Sequence, residues 1–393
     1  MMFGSIYIGL SGLGAYSKGL EAVSNNVSNM NTQGFKSSNV SFQNVYGTGS
    51  EGGLEYGNGQ SGSGHGVTIN ELSINFGQGE LRQTGRDLDL AIDGNGFFVL
   101  LDGDQQLFAR TGSFAVNDDG YIVLEGTDNK LAVLDEEGRP AALNIDRYRT
   151  DAPEATQRIV FADNLSSTAT EFTVPDLTVY SSDGEPQVWS VAFARPETVS
   201  DKWSVTVTDA AGREIGVQSL QFAAGSVVEG SSELTFKDED NGIEVVLDFS
   251  EGVTSFSSGS VSSLRANDID GHGTGALATL TVNSNGELEI TYTNEETQVL
   301  GSVALADFRD PQALEQRGNA IFAYSGFGQK QYLSASDTRV GSILSQRLEA
   351  SNVDLGGQFG DLILIQRGFQ ASSQIISVTN DMIQQLFGIR GQG

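Results

Sequence analysis

Apolar residues at Leu13, Tyr16, Leu20, Val23, Val27 and Met30 follow an unbroken 3-4-3-4-3 spacing, and Ile6 upstream keeps the same phase. That spacing is the seam of a coiled-coil helix. The far end repeats it. Leu362, Ile365, Phe369, Ser372, Ile376, Thr379, Ile383 and Leu386 alternate by three and four, with small polar breaks at Ser372 and Thr379. One such helix on its own would suggest ordinary packing on a local core. Matched seams at both extremities, flanking a β-patterned middle, suggest helices built to meet partners. Gly9, Gly12, Gly14 and Gly19 lie in the first seam, and each costs on the order of 1 kcal/mol against Ala inside a helix, so this helix should be weak when isolated.

The stretch SNNVSNMNTQGFK (Ser24 to Lys36) ends the first pattern abruptly. Asn and Gly suit an αL stop, and Asn and Thr can bond the stranded backbone groups. Tyr46 to Gly66 holds nine glycines in 21 residues and reads as an irregular linker. It contains two formal G-x-G-x-x-G matches, Gly47 to Gly52 and Gly57 to Gly62. Neither follows a strand or opens a helix, so neither points to a dinucleotide.

From about Val67 the signals become β. LDLAIDGNGFFVLL predicts a hairpin around DGNG, and RTGSFAVNDDGYIVLEG predicts another, with Asn117 to Gly120 as its turn and Phe114, Val116, Tyr121 and Val123 on its strands. After the polar DRYRTDAPEATQR, short turn-bounded strands suggest a separate sandwich or barrel. The first β pattern then resumes, with SNG as a hairpin turn. The expected fold is mainly β with α-helical termini and two nested β-domains. The expected parts are an N-terminal assembly helix (1–32), a linker (33–70), an inner β-domain (71–145 with 269–345), an inserted outer β-domain (146–268), and a C-terminal linker and assembly helix (346–393).

Charge sharpens this division. The chain of 393 residues has 51 acidic and 22 basic residues, a formal net charge of −29. Residues 1–45 carry Lys18, Lys36 and Glu21, and residues 340–393 sum to one negative charge, so the whole excess lies in the middle. Near-neutral ends suit dense packing among copies, and an acidic middle suits a solvated surface. Nucleic acid and anionic membrane surfaces reward clustered Lys and Arg and are not expected partners. No stretch approaches the ~18 apolar residues of a membrane span, so membrane insertion is not expected. The N-terminus does not read as a cleavable signal.

Candidate chemistry is thin. With no cysteine, disulfides, thiol nucleophiles and Cys-based metal sites are impossible. His65 and His272 are the two histidines, both in turn-like contexts, and neither a G-x-S-x-G elbow nor a Walker A motif is present. The acidic clusters NDIDGHG, DEDNGIE and NDDG could offer oxygen ligands to calcium, but they lack the EF-hand spacing and are equally what tight turns demand. Trp189 and Trp203 sit at alternating strand positions and read as core. No catalytic residue, cofactor or metal site is assigned. An acidic secreted β hydrolase or calcium-dependent adhesin is the reading from another class.

Four ordered stretches carry a family resemblance. SGLGAYSKGLEAVSNNVSNMNTQGFKSSNVSFQNV (Ser11 to Val45) resembles the N-terminal signature of bacterial flagellar rod and hook proteins, with Asn25, Asn26, Asn29, Thr32, Gly34, Phe35 and Lys36 on its Asn-rich run. TGRDLDLAIDGNGFFVL (Thr84 to Leu100) and RTGSFAVNDDGYIV (Arg110 to Val123) resemble the next two motifs, and Leu348 to Leu386 resembles the C-terminal signature. Three departures are visible: Gln358 where an acidic residue is common, Gly368 within the C-terminal helix, and a GIRGQG tail. The length and the insertion resemble the hook branch of the family, with a distal rod subunit as the alternative.

That resemblance implies a non-enzymatic subunit of a helical homopolymer, a curved tube coupling motor to filament as a universal joint. It implies passage through the flagellar type III export apparatus to the extracellular hook. It also implies distal rod, hook cap and hook–filament junction proteins as neighbours. In this reading the two seams are unpaired in a monomer and are buried only against neighbouring copies.

Overall fold

The structure, a computed structural model, describes residues 2–46, 64–196, 201–259, 261–326 and 329–390. The chain opens with helix α1 (Met2–Ser28) and closes with helix α2 (Leu355–Arg390). The described residues between them form strands and short 3-10 turns. Two compact units result. Unit 1 comprises Met1–Ile145, Leu280–Glu289 and Val299–Gly393, and unit 2 comprises Asp146–Thr279 and Ile290–Gln298. The chain re-enters unit 1 after Thr279, later than the 268/269 border read from composition, and makes a second excursion into unit 2 over Ile290–Gln298. Between the two excursions the SNG turn closes within unit 1, with Gly286 N–H donating to the Asn283 carbonyl at 2.9 Å.

Unit 1 is built on a 12-stranded antiparallel sheet. Its core joins Phe97, Val99, Phe108, Phe308 and Phe322, whose rings meet largely edge to face. The expected DGNG hairpin does not form. Asp89–Asp93 pairs with Thr111–Val116 and Ser342–Ser345, whereas Phe97–Asp102 pairs with Gln105–Ala109 across a turn at Gly103 (φ +57°). DGNG instead passes tightly under Val340 and Gly341. A Cβ at Gly94 (φ +149°) would sit 2.5 Å from the Gly341 Cα, and the Arg110 guanidinium takes up the Gly94 and Gly96 carbonyls. The second expected hairpin is present, with Phe114 opposite Leu124 and Val116 opposite Ile122.

The segment expected as a linker over 33–70 contains structure. β1 (Ser38–Tyr46) and β2 (Gly64–Ile74) form an antiparallel ribbon against α1. Strand-forming residues such as Val40, Phe42, Val67 and Ile69 carry it, and glycine content alone masks them. Both G-x-G-x-x-G matches fall outside the described residues.

Unit 2 is a β-structure whose largest sheet has ten strands, closed over a core that includes Trp189, Trp203, Phe161, Phe193, Phe236 and Phe249. Trp189 and Trp203 are fully enclosed. The turn Asp and Asn side chains are used locally. Asp270 accepts from the Gln157 and Arg158 N–H groups, Asn117 from Asp119 and Tyr121, and Asp238 from Arg213 and Asn241. His272 is half-buried, with its Nδ1 3.5 Å from Asp151 Oδ2; the side chain of His65 lies outside the described residues.

Candidate assembly site at the joined chain ends

α1 and α2 lie antiparallel against each other in unit 1. The two seams expected to wait for neighbouring copies therefore face one another inside a single chain. Val23 and Ile365 are buried, and Leu13, Tyr16, Leu20, Val27, Leu362, Ile376 and Ile383 are half-buried. Met30 lies beyond the end of α1 and is exposed, as is Phe369; the side chain of Leu386 lies outside the described residues.

The most enclosed line of α1 runs one residue aside from the predicted seam, through Gly9, Gly12, Ala15, Gly19, Ala22 and Asn26. Opposite it, Gln358, Ile365, Ser372 and Thr379 are buried at a strict seven-residue repeat. Small residues let the helix backbones approach. A Cβ at Gly9 would stand 2.7 Å from Ile376 Cγ1, and one at Gly12 would stand 2.5 Å from Ser372 Oγ. The glycines that weaken an isolated α1 are thus what admit α2. Their 3-3-4-3 spacing with Ala15 and Ala22 is the signal in the sequence, and the helix-breaking tendency of glycine masks it. Two family departures also find their use here. Tyr16 lies over Gly368, where any Cβ would collide with its ring, and Gln358 Oε1 accepts from Asn26 Nδ2 at 2.9 Å.

The Asn-rich run builds the junction beneath the helices. Asn26 bonds Ser38 in both directions, fixing β1 to α1. Asn29 Nδ2 donates to Asn25 Oδ1 and to the Asn25 carbonyl, and Thr32 Oγ1 donates to Asn29 Oδ1. Gly34 takes φ +67°, pressed so closely on Thr111 that a Cβ would lie 2.8 Å from its methyl group. Phe35 is buried, and its carbonyl accepts from Asn352 N–H.

Lys36 ends the run inside the protein. Its ammonium lies 2.6 Å from Glu349 Oε1, with neither side chain exposed, and donates to the Gly77 carbonyl at 2.9 Å. Gly79 N–H donates to the same Glu349 oxygen, and Arg110 Nε stands 3.7 Å from the other. Burial pulls the Lys36 ammonium below its ordinary value against the pull of Glu349, with Arg110 acting in the same sense as burial. Burial likewise lowers Arg110, opposed by Glu349 and Asp93. The triad draws one member each from the N-terminal signature, the Arg110 motif and the strand before α2. Reading Lys36 as a signature position identified the residue but not its partners, which lie 74 and 313 positions away.

After α1 and α2 have covered each other, apolar surface remains. Leu364, Ile375, Val378 and Met382 on α2 and Tyr7 and Leu10 on α1 are exposed. A groove of about 470 Å³ between α1, β1 and α2 is lined by Tyr16, Val23, Phe42, Leu364 and Ile365 among others. Among the described residues no helix is long and apolar enough to cross a membrane, and no cluster of His, Cys, Asp or Glu is arranged to hold a metal ion.

Comparison with known proteins matches these parts in order. Residues 6–36 match the family model described as flagella basal body rod protein, and residues 91–163 match flagellar hook protein FlgE/F/G D1 domain. Residues 344–389 match flagellar basal body rod FlgEFG protein C-terminal. The flagellar hook protein FlgE of Borreliella burgdorferi is 26% identical over 99% of this chain and 100% of its own length. Those of Salmonella typhimurium and Escherichia coli are each 28% identical over 97% of this chain and 98% of theirs. A crystal structure of Helicobacter pylori flagellar hook protein FlgE2 is similar at TM-score 0.49 and 12% identity, covering 68% of this chain and 100% of that one. The paired terminal helices, the signature junction, the three family models matched in order and these full-length hook-protein relatives define a structural protein of the bacterial flagellum, and the chain belongs to the flagellar hook and rod family. Within that family it is a hook subunit: these relatives, which align with it from end to end across the inserted unit 2, are hook proteins and not rod proteins.

Proposed function

We propose that copies of this chain adhere through the α1–α2 pair and stack head to tail into the curved tube of the hook. The observation that carries this is the second apolar face. Leu364, Ile375, Val378 and Met382 stay exposed although α2 already has a partner in α1. Each such side chain stabilises an assembly by roughly 1.5–3 kcal/mol when fully buried, and identical subunits joined by non-closing contacts make a helical polymer. In this reading α1 and α2 first cover each other, then present what remains to neighbouring copies. Unit 2 supplies the acidic, solvated exterior. Flexible coupling of torque, export through the flagellar type III apparatus, and contacts with distal rod, hook cap and junction proteins belong to the same reading.

Leu364→Asp combined with Val378→Asp places charge on that exposed face and leaves the buried α2 positions Ile365, Ser372 and Thr379 unchanged. The variant is expected to stay folded by circular dichroism yet form no tubes in negative-stain micrographs, under conditions where the unsubstituted chain forms short curved ones. Tubes of normal yield from the double variant would overturn the role of this face, and straight particles from the unsubstituted chain would favour the rod alternative.

A further inference from the structure

The α1–α2 pair has two unlike ends. At the free end, where Gly9 and Gly12 meet Ile376 and Ser372, charge is absent. No side chain is charged from Met1 to Ser17, nor opposite them from Gly368 to Asn380. Tyr7 stands out from this end, 62% exposed, with the exposed Leu10 one turn further on. At the other end, beside β1, lies the groove of about 470 Å³. Tyr16, Val23, Phe42, Leu364 and Ile365 make it apolar, and the exposed Asn39 and Asp361 add polar groups to its lining. A groove of this kind fits a side chain with an apolar body and one hydroxyl at its tip, which is what a tyrosine offers.

We infer that Tyr7 of one copy enters this groove on the next copy, with Leu10 beside it. The inference rests on the proposed polymerisation and adds the side chain, its receptor and the offset between neighbours. The occupant does not come from the same chain. Tyr7, Tyr16 and Val23 share one helix, and at 1.5 Å per residue Tyr7 lies about 14 Å from Tyr16 and about 24 Å from Val23 along the axis. A second copy brings the same free end, and burying an end without charged side chains carries no cost of stripping water from an ion. The groove also continues the apolar face already proposed for assembly, because Leu364 belongs to both. Knob and receptor are different surfaces, so between parallel copies the contact does not close on itself and repeats along a helix. The part of the groove that α1 supplies centres about 19 Å from Tyr7, which sets the offset of two touching copies along α1 at about 19 Å.

The chain has no cysteine, so Leu10→Cys with Asn39→Cys introduces only two thiols and leaves Tyr7 in place. Tubes of this double variant are treated with a short bismaleimide and then dissociated in denaturant. Covalent dimers, trimers and longer species are expected, whereas each single variant, with one thiol per chain, gives dimers at most. Tubes of the double variant that yield nothing beyond dimers overturn the inference while leaving polymerisation standing. Failure of the unsubstituted chain to form tubes overturns the polymer reading, and this inference with it. A second arm needs no cysteine. Tyr7→Ser is expected to raise the lowest concentration at which tubes sediment by about tenfold or more, and Tyr7→Phe by less. An unchanged threshold for Tyr7→Ser overturns the inference even where the double variant does not assemble. Helical reconstruction of the tubes is expected to show copies touching through α1 with the offset of about 19 Å, and offsets all outside about 14 to 24 Å also overturn it.

Discussion

Removing either member of the Lys36–Glu349 pair should destabilise unit 1, and the structure predicts which removal costs more. Breaking a buried ion pair by deleting one partner costs about 3–5 kcal/mol, because the survivor is left charged and desolvated. After Lys36→Met, Glu349 keeps the Gly79 N–H at 2.6 Å and the Arg110 guanidinium at 3.7 Å, so the loss should fall near the lower figure, about 3 kcal/mol. After Glu349→Gln, Lys36 is left buried without an anion and Arg110 keeps only the attraction of Asp93, so the loss should reach the upper figure, about 5 kcal/mol. The assay is urea unfolding followed by two signals. Far-ultraviolet circular dichroism follows α1 and α2 of unit 1, while fluorescence follows unit 2, because Trp189 and Trp203 are the only tryptophans and both lie there. The helix transition should move to lower urea in the order unsubstituted, Lys36→Met, Glu349→Gln, with the fluorescence transition little changed. A reversed order, or a loss below about 1 kcal/mol in both variants, would refute the reasoning that these charges depend on each other for their burial.

Two further outcomes follow from other parts of the molecule. Gly12→Leu, whose Cβ would stand 2.5 Å from Ser372 Oγ, should cost about 1–3 kcal/mol by forcing the helices apart, whereas Gly14→Ala, which meets open space, should stabilise α1 by up to about 1 kcal/mol; thermal melts of the helix signal that place both changes on the same side of the unsubstituted chain would contradict this. In unit 2, hydrogen bonds from Arg213 hold Asp209 low, and at Asp238 burial pushes the carboxyl up but bonds from Asn241 and Arg213 outweigh it. Carboxyls lowered from 3.8 contribute stability that is present above that pH and lost as pH falls through their folded values, so Arg213→Met should move the acid-induced fluorescence transition of unit 2 to higher pH, and an unmoved transition would show the clamp to be inert.

The helices at both ends, the β middle and the nested order were legible because each rests on a local period or on turn residues. Topology was less so. DGNG looks like a hairpin turn, yet its glycines serve a close crossing beneath Val340 and Gly341, and no local rule distinguishes the two uses. The seams are legible in the sequence, but their partner, the other helix of the same chain, is not. Heptad spacing says that a face must be covered and is silent on whether the cover comes from the same chain. The small-residue line from Gly9 to Ala22 carried that information, since a helix with so little side chain on one face is built for a close neighbour. The buried triad was beyond reach for another reason: Lys36, Arg110 and Glu349 are brought together only by the closed fold.

Lys36 and Glu349 also have a meaning in time. A chain made from its first residue onward carries Lys36 for 313 further residues before its partner exists, and closing a loop of that length costs about 5 kcal/mol in chain entropy beyond a constant. Until then the ammonium has no buried place to occupy, and Asn26 has no Gln358. The contacts that seal unit 1 are therefore among the last that can form. A chain broken off early would keep its N-terminal signature solvated and its first helix uncovered. The junction thus closes only in a molecule that has reached its second helix.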